Sequence, residues 1–211
     1  MDAAPAVSES NGPRYDGVVS RHLNRRISRP VAQWLTRTAT TPNQVTLATT
    51  LLALAAGAMV AVGWNIAGGI AIQASSIADG VDGELARLKG MATRFGGVLD
   101  AVLDRYADAA MLGGMTVYAV RFEDLPRPEV VGILALAGAL SVSYSRARIE
   151  ASLGVEPGDW IFGLASRDVR LLVAAVGAVA GLCYWALTVL AVASWATVAW
   201  RLVALRWRAE P

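Results

Sequence analysis

The chain has 211 residues, 55% of them hydrophobic and 17% charged, with a formal net charge of +2. A soluble domain carries roughly 25% charged residues, so this composition argues against a water-soluble globular protein, and the small net charge gives no sign of a nucleic-acid partner. Cys183 is the only cysteine, which excludes an intrachain disulfide.

Residues 1–16 read as a disordered cytoplasmic tail. Met1 to Asn11 is small, polar and acidic without an apolar core, unlike a signal peptide. Residues 17–37 place Val19, Leu23, Ile27, Val31, Trp34 and Leu35 at near-helical spacing, with Arg21, Arg25, Arg26 and Arg29 between them. That pattern predicts an amphipathic helix lying in a membrane interface.

From Thr38 to Ala78, 41 residues pass without an Asp, Glu, Lys or Arg, and Leu171 to Trp200 gives another 30. Charge-free apolar runs beyond about 18 residues predict membrane-spanning helices. The first run is too long for one pass, and Gly63-Trp64-Asn65 divides it into spans over about Val45–Val62 and Ile66–Leu88. A third span is expected over Gly97–Val120. After the loop RFEDLPRPE, a fourth follows over Val130–Arg148. One helix from Arg170 to Arg208 would be about 57 Å long at 1.5 Å per residue, against a hydrocarbon core of about 30 Å. Two passes turning near Gly181 to Trp185 are therefore expected. The fold class is an all-α integral membrane protein, with residues 38–211 forming a six-span membrane domain. Of the Lys and Arg residues, only Arg105, Arg121 and Arg127 fall away from the side shared by both termini. By the positive-inside rule that side is cytoplasmic, which puts the protein in the cell membrane with both termini and the site described next on the cytoplasmic face.

At that face the second and third spans carry Asp79, Asp82, Asp100, Asp104 and Asp108. Asp79 and Asp82 are three residues apart and Asp100 and Asp104 four apart, so each pair shares a helical face. A short connection makes the two helices antiparallel neighbours, so four carboxylates can converge. Each aspartate at mid-membrane costs about 2.5–3.5 kcal/mol, so a compensating cation is required. Carboxylate-only clusters suit Mg2+ or Mn2+, and two ions are the usual arrangement for displacement at phosphorus. Gly80, Gly83 and Ala86 keep the backbone open to a ligand, while Gly96 and Gly97 let the third span start close to the second. Arg87 can offer a bidentate fork to phosphate. Asp108 continues the same face as either a supporting residue or a partner for Arg105.

Written as D-x2-D-G-x2-A-R-x8-G-x3-D-x3-D, the stretch from Asp79 to Asp104 resembles the signature of the CDP-alcohol phosphotransferase family. Its members have six spans. The resemblance extends less strictly to Thr41-Pro42-Asn43 and to the arginines of the later spans. It implies transfer of a phosphoalcohol group from a CDP-alcohol to an acceptor hydroxyl, with release of CMP. It further implies that Asp79, Asp82, Asp100 and Asp104 hold the metals and that Asp104 is also the general base. Gly83, Arg87 and Thr93 would contact the nucleotide and its diphosphate. Asn43 either joins them or caps the first span.

Arg146, Arg148, Arg167, Arg170 and Arg201 cluster near the same face in the sequence, and such a pocket suits a phosphorylated acceptor. The alternative is anchoring of helix ends, which suffices for Arg206 and Arg208. SYSRARIE and TVAWR are similar to the acceptor stretches of inositol-phosphate-using members, although Arg146 stands where phosphatidylinositol phosphate synthases usually have lysine. SSIADGVDGELARLK and SRDVRLL are closer to the branch that joins CDP-inositol to inositol phosphate, the di-inositol phosphate phosphate synthases. Those are often fused to a cytidylyltransferase domain that this sequence does not show. CDP-diacylglycerol stays open as donor, with glycerol phosphate, serine or inositol as other acceptors. An ion-coupled transporter is the reading from another class, but no internal repeat supports it. The expected partners are thus a CDP-alcohol donor, a small polar, phosphorylated acceptor and the lipid bilayer, and a homodimer stays open.

Overall fold

The computed structural model describes residues 24–154 and 166–209, with side chains described as far as residue 206. The expected tail, with Val19, Arg21 and Leu23 of the interfacial helix, lies outside these residues, as does the side chain of Arg208. Among the described residues the fold is all-helical. Its elements are α1 (Arg25–Leu35), α2 (Pro42–Ala61), α3 (Asn65–Leu88), α4 (Arg94–Phe122), α5 (Pro128–Leu153), α6 (Arg167–Val179) and α7 (Cys183–Ala209).

Local chemistry sets these boundaries. Thr41 and Gln44 form a reciprocal capping box, with Pro42 in the first turn of α2. Each side chain satisfies a backbone N–H that the helix leaves unpaired. Gly63 (φ 92°) ends α2 and Gly181 (φ 68°) turns α6 into α7, both in the left-handed region that glycine enters without a Cβ penalty. The α3–α4 turn is tied back to the start of α2, because Lys89 Nζ donates to the carbonyls of Thr38 at 2.7 Å and Thr40 at 2.8 Å. At the other end of the bundle, the Glu123 carboxylate accepts from the backbone N–H of Cys183 at 2.7 Å and of Tyr184 at 3.0 Å. It thereby caps α7.

Small residues make the bundle tight. α2 packs on α3 and α4, α5 on α7, and α3 on α1 and α6. The shared core is rich in alanine, including Ala53, Ala56, Ala107, Ala135, Ala139, Ala174 and Ala178, around Ile72, Met111, Met115 and Leu187. A Cβ on Gly57 would overlap the carbonyl of Ala110, and one on Gly114 would overlap the backbone of Gly57. The α2–α4 crossing is therefore a backbone-to-backbone contact, as is common between membrane helices.

The outside of the bundle is apolar. Leu51, Ile70, Val98, Ile133, Val176 and Val192 are all exposed, a pattern that water does not favour over so many helices. Among the described residues, three helical segments are both long and apolar enough to cross a membrane: Pro42–Ala61, Pro128–Leu153 and Cys183–Arg206. The expected second, third and fifth spans fall on α3, α4 and α6. The first two of these are diluted by charged residues, and α6 has 13 residues among those described. On α1 the small residues Ser28 and Ala32 are buried, while Ile27, Val31 and Trp34 are exposed.

Candidate active site

Asp79 and Asp82 lie on α3, while Asp100, Asp104 and Asp108 lie on α4, the next helix in the chain. The start of α6 supplies Arg167 and Arg170. One carboxylate oxygen from each of Asp79, Asp100 and Asp104 falls within 4.8 Å of the other two. Three hard oxygen donors at that separation fit a divalent cation such as Mg2+ or Mn2+.

Asp82 takes a different position. It is 7% exposed and accepts from Thr46 Oγ1 of α2 at 2.5 Å and from the Gly83 N–H at 2.5 Å. A carboxylate has about four lone-pair sites, so these two bonds orient Asp82 while leaving it acceptor capacity. Sequence reasoning missed Thr46. A signal was present, since Thr46, Thr49 and Thr50 recur at helical spacing in an uncharged run and all three are buried.

Arg167 joins the cluster through all three guanidinium nitrogens. Nη1 lies 2.6 Å from Asp79, Nη2 lies 2.9 Å from Asp104, and Nε donates to Asp108 at 3.2 Å. Asp108 is 3% exposed, and its other oxygen accepts from Arg170 Nη2 at 3.2 Å. Arg105 pairs with Asp104 at 3.5 Å. The expectation that Asp108 partners Arg105 is therefore corrected. Arg105 turns to Asp104 within α4, and α6 brings Arg167 and Arg170 to Asp108 instead.

The residues expected at the nucleotide make two sets of contacts. Gly83 is open, the nearest atom to a Cβ there being Arg87 Nη1 at 3.8 Å. Arg87 is half exposed and pairs with Glu84 at 2.6 Å. Thr93 caps α4 by accepting from the Gly96 N–H at 2.9 Å. Asn43 does not cap α2, because Thr41 and Gln44 do so. Its Oδ1 instead lies 3.2 Å from where a Gly96 Cβ would be, which brings Asn43 and Thr93 together at the starts of α2 and α4. Two glycine expectations are also corrected. Gly80 faces Ser28 of α1, and Gly96 packs against Asn43 and Thr93 rather than against α3, while Gly97 has open space around it.

The arginines expected at the acceptor have different partners. Arg201 is buried and donates to the Val142 carbonyl at 2.7 Å and to Ser145 Oγ at 3.0 Å, both on α5. Arg146 pairs with Glu150 at 2.9 Å with 39% of its side chain exposed, and Arg148 is exposed. Arg167 and Arg170 contact the aspartates directly.

The family model for CDP-alcohol phosphatidyltransferase matches residues 39–207. The chain belongs to that family. A bifunctional IPC transferase and DIPP synthase of Rubrobacter xylanophilus is 43% identical over 166 residues, which cover 79% of this chain and 37% of that protein. The chain thus spans little more than a third of that relative's length. The phosphatidylinositol phosphate synthase of Mycobacteroides abscessus is 35% identical over 198 residues, covering 90% of this chain and 88% of that one. The phosphatidylinositol phosphate synthase of Mycobacterium tuberculosis, solved with CDP-DAG bound, superposes with a TM-score of 0.72 at 32% identity over 84% of this chain and 92% of that one. The same enzyme has been solved in complex with manganese and citrate, and that structure also superposes with a TM-score of 0.72.

Proposed function

We propose that this family member transfers a substituted phosphate group from a CDP-alcohol to the hydroxyl of a phosphorylated acceptor, with inositol phosphate as that acceptor. The observation that carries the reading is the convergence of Asp79, Asp100 and Asp104 on one point, with Arg167 beside them. The names of the relatives support the substrate class. In the reaction a bond forms between the acceptor oxygen and the phosphorus that carries the donor alcohol. The bond from that phosphorus to the oxygen of CMP breaks, and CMP leaves with the electron pair.

The residues take the following parts. Asp79, Asp82, Asp100 and Asp104 would hold two Mg2+ or Mn2+ ions, which when bound polarise the diphosphate and neutralise the leaving group. Asp104 takes the acceptor proton. Gly83 admits the diphosphate close to the α3 backbone, Arg87 pairs with it, and Asn43 and Thr93 meet the nucleotide from the α2 and α4 ends. The acceptor phosphate is met by Arg167, Arg170 and Arg201, with Arg146 and Arg148 reaching it from the solvent side of α5.

All six helices α2 to α7 cross the membrane in this reading, which the apolar exterior of the bundle supports. α1 lies in the cytoplasmic interface, its exposed Ile27, Val31 and Trp34 directed to lipid. The site faces the cytoplasm, the side on which Lys and Arg concentrate.

CMP release from the purified chain, with CDP-inositol and CDP-diacylglycerol each offered inositol phosphate, inositol, glycerol phosphate and serine, tests the proposal. CDP-inositol is the expected donor, because the bifunctional relative has the higher identity. A second reading with CDP-diacylglycerol is favoured by the fuller coverage of the lipid-synthesising relative. Turnover with neither donor, or faster use of a neutral acceptor than of inositol phosphate, would overturn the assignment.

A further inference from the structure

Arg167 and a divalent ion draw on the same two carboxylates, Asp79 and Asp104. Two guanidinium groups, the partly buried Arg167 and the buried Arg170, share one further anion, Asp108, which is the most buried of the site's aspartates. The space behind the Asp108–Arg170 pair is lined mainly by Met111, Leu112, Leu171, Ala174 and Leu190. Apolar walls cannot replace a lost charge partner there. The division of Arg167 between Asp108 on one side and Asp79 and Asp104 on the other is therefore set by Asp108.

We propose that Asp108 is a positioning residue for Arg167: it holds the guanidinium by Nε and so limits how strongly Arg167 competes with metal for Asp79 and Asp104. This rests on the metal reading given above. Neutralising Asp108 leaves Arg167 with Asp79 and Asp104 as its two remaining carboxylates, and the metal affinity falls although Asp108 is not a ligand.

Mn2+ titration of the purified full chain, followed by electron paramagnetic resonance, tests this without reference to turnover. Asp108→Asn should raise the Mn2+ Kd by about 10-fold or more, the scale on which residues behind a metal ligand act. Arg167→Gln alone should lower the Kd, because it removes the competing cation. That result is available even where Asp108→Asn fails to insert. The pairs Asp108→Asn with Arg167→Gln and Asp108→Asn with Arg170→Gln carry the same net charge. Positioning predicts that the first restores Mn2+ affinity and the second does not. Equal rescue by both, or weaker binding by Arg167→Gln alone, overturns the proposal in favour of a bulk charge effect or a loss of structure. Unchanged affinity in Asp108→Asn, with normal binding by the unsubstituted chain, overturns it while leaving the metal reading intact. No Mn2+ binding by the unsubstituted chain overturns both.

Discussion

Thr46 Oγ1 of α2 donates to Asp82 of α3 at 2.5 Å, and both side chains are buried. The bond joins an uncharged helix to the aspartate motif and fixes the direction in which Asp82 presents its oxygens. Thr46→Val keeps the shape and removes the donor. It should weaken metal activation by roughly 10- to 100-fold, as loss of residues behind a ligand does. Thr46→Ser should keep most of it. Titrating CMP release against Mg2+ checks both, and an unchanged Mg2+ requirement in Thr46→Val would show that the bond is incidental.

Asp104→Asn bears on the second role given to that residue. Loss of a general base costs about 10²–10⁴-fold in rate, and loss of a ligand adds to it. Transfer should therefore fall further than donor binding, measured by equilibrium binding of the CDP-alcohol. A variant that transfers at a near-normal rate contradicts the assignment.

Arg201 lies buried between α5 and α7, whereas Arg206 is exposed near the end of α7. A charge-assisted hydrogen bond is worth about 1.5–3 kcal/mol, so Arg201→Ala should raise the acceptor KM roughly ten- to a hundredfold with little change for the donor. Arg206→Ala should leave both nearly unchanged. If Arg201→Ala has no effect on acceptor KM, its hydrogen bonds to Val142 and Ser145 mark it as a structural link between helices.

Much of this arrangement was legible in the sequence where the cause is local. Gly63 and Gly181 interrupt the two long uncharged runs, so the helix breaks there followed from composition and spacing. Asp100 and Asp104 sit one turn apart on α4, and a short turn returns them to Asp79, so their convergence followed from periodicity. The partners of Asp82, Asp108 and Arg167 were not legible. They depend on how α2 and α6 are rotated against α3 and α4, and the small-residue contacts that set this rotation are distant in sequence. Arg167 lies 59 residues from Asp108. The partners of the other arginines were not legible either, since Arg146 pairs with Glu150 on its own helix while Arg201 bonds across to α5.

The Gly57–Gly114 crossing makes a prediction about stability alone. Gly57→Val forces side-chain atoms into the Ala110 carbonyl, and overpacking of this kind typically costs about 1–3 kcal/mol. The thermal midpoint of the detergent-solubilised protein should fall. Gly113, around which a Cβ meets nothing within 4 Å, should tolerate alanine with a much smaller change. Equal midpoints for the two variants would mean that α2 and α4 do not meet by their backbones.

The account rests on a metal held by the aspartates of α3 and α4. The most direct measurement is CMP release by the purified chain as Mg2+ is titrated from excess chelator to saturation. It should be run beside Asp79→Asn and Asp100→Asn, with membrane insertion verified for each. The unsubstituted chain should be inactive in chelator and recover fully with Mg2+, while both variants stay inactive at every concentration. Full CMP release in excess chelator, or from either variant, would contradict the account.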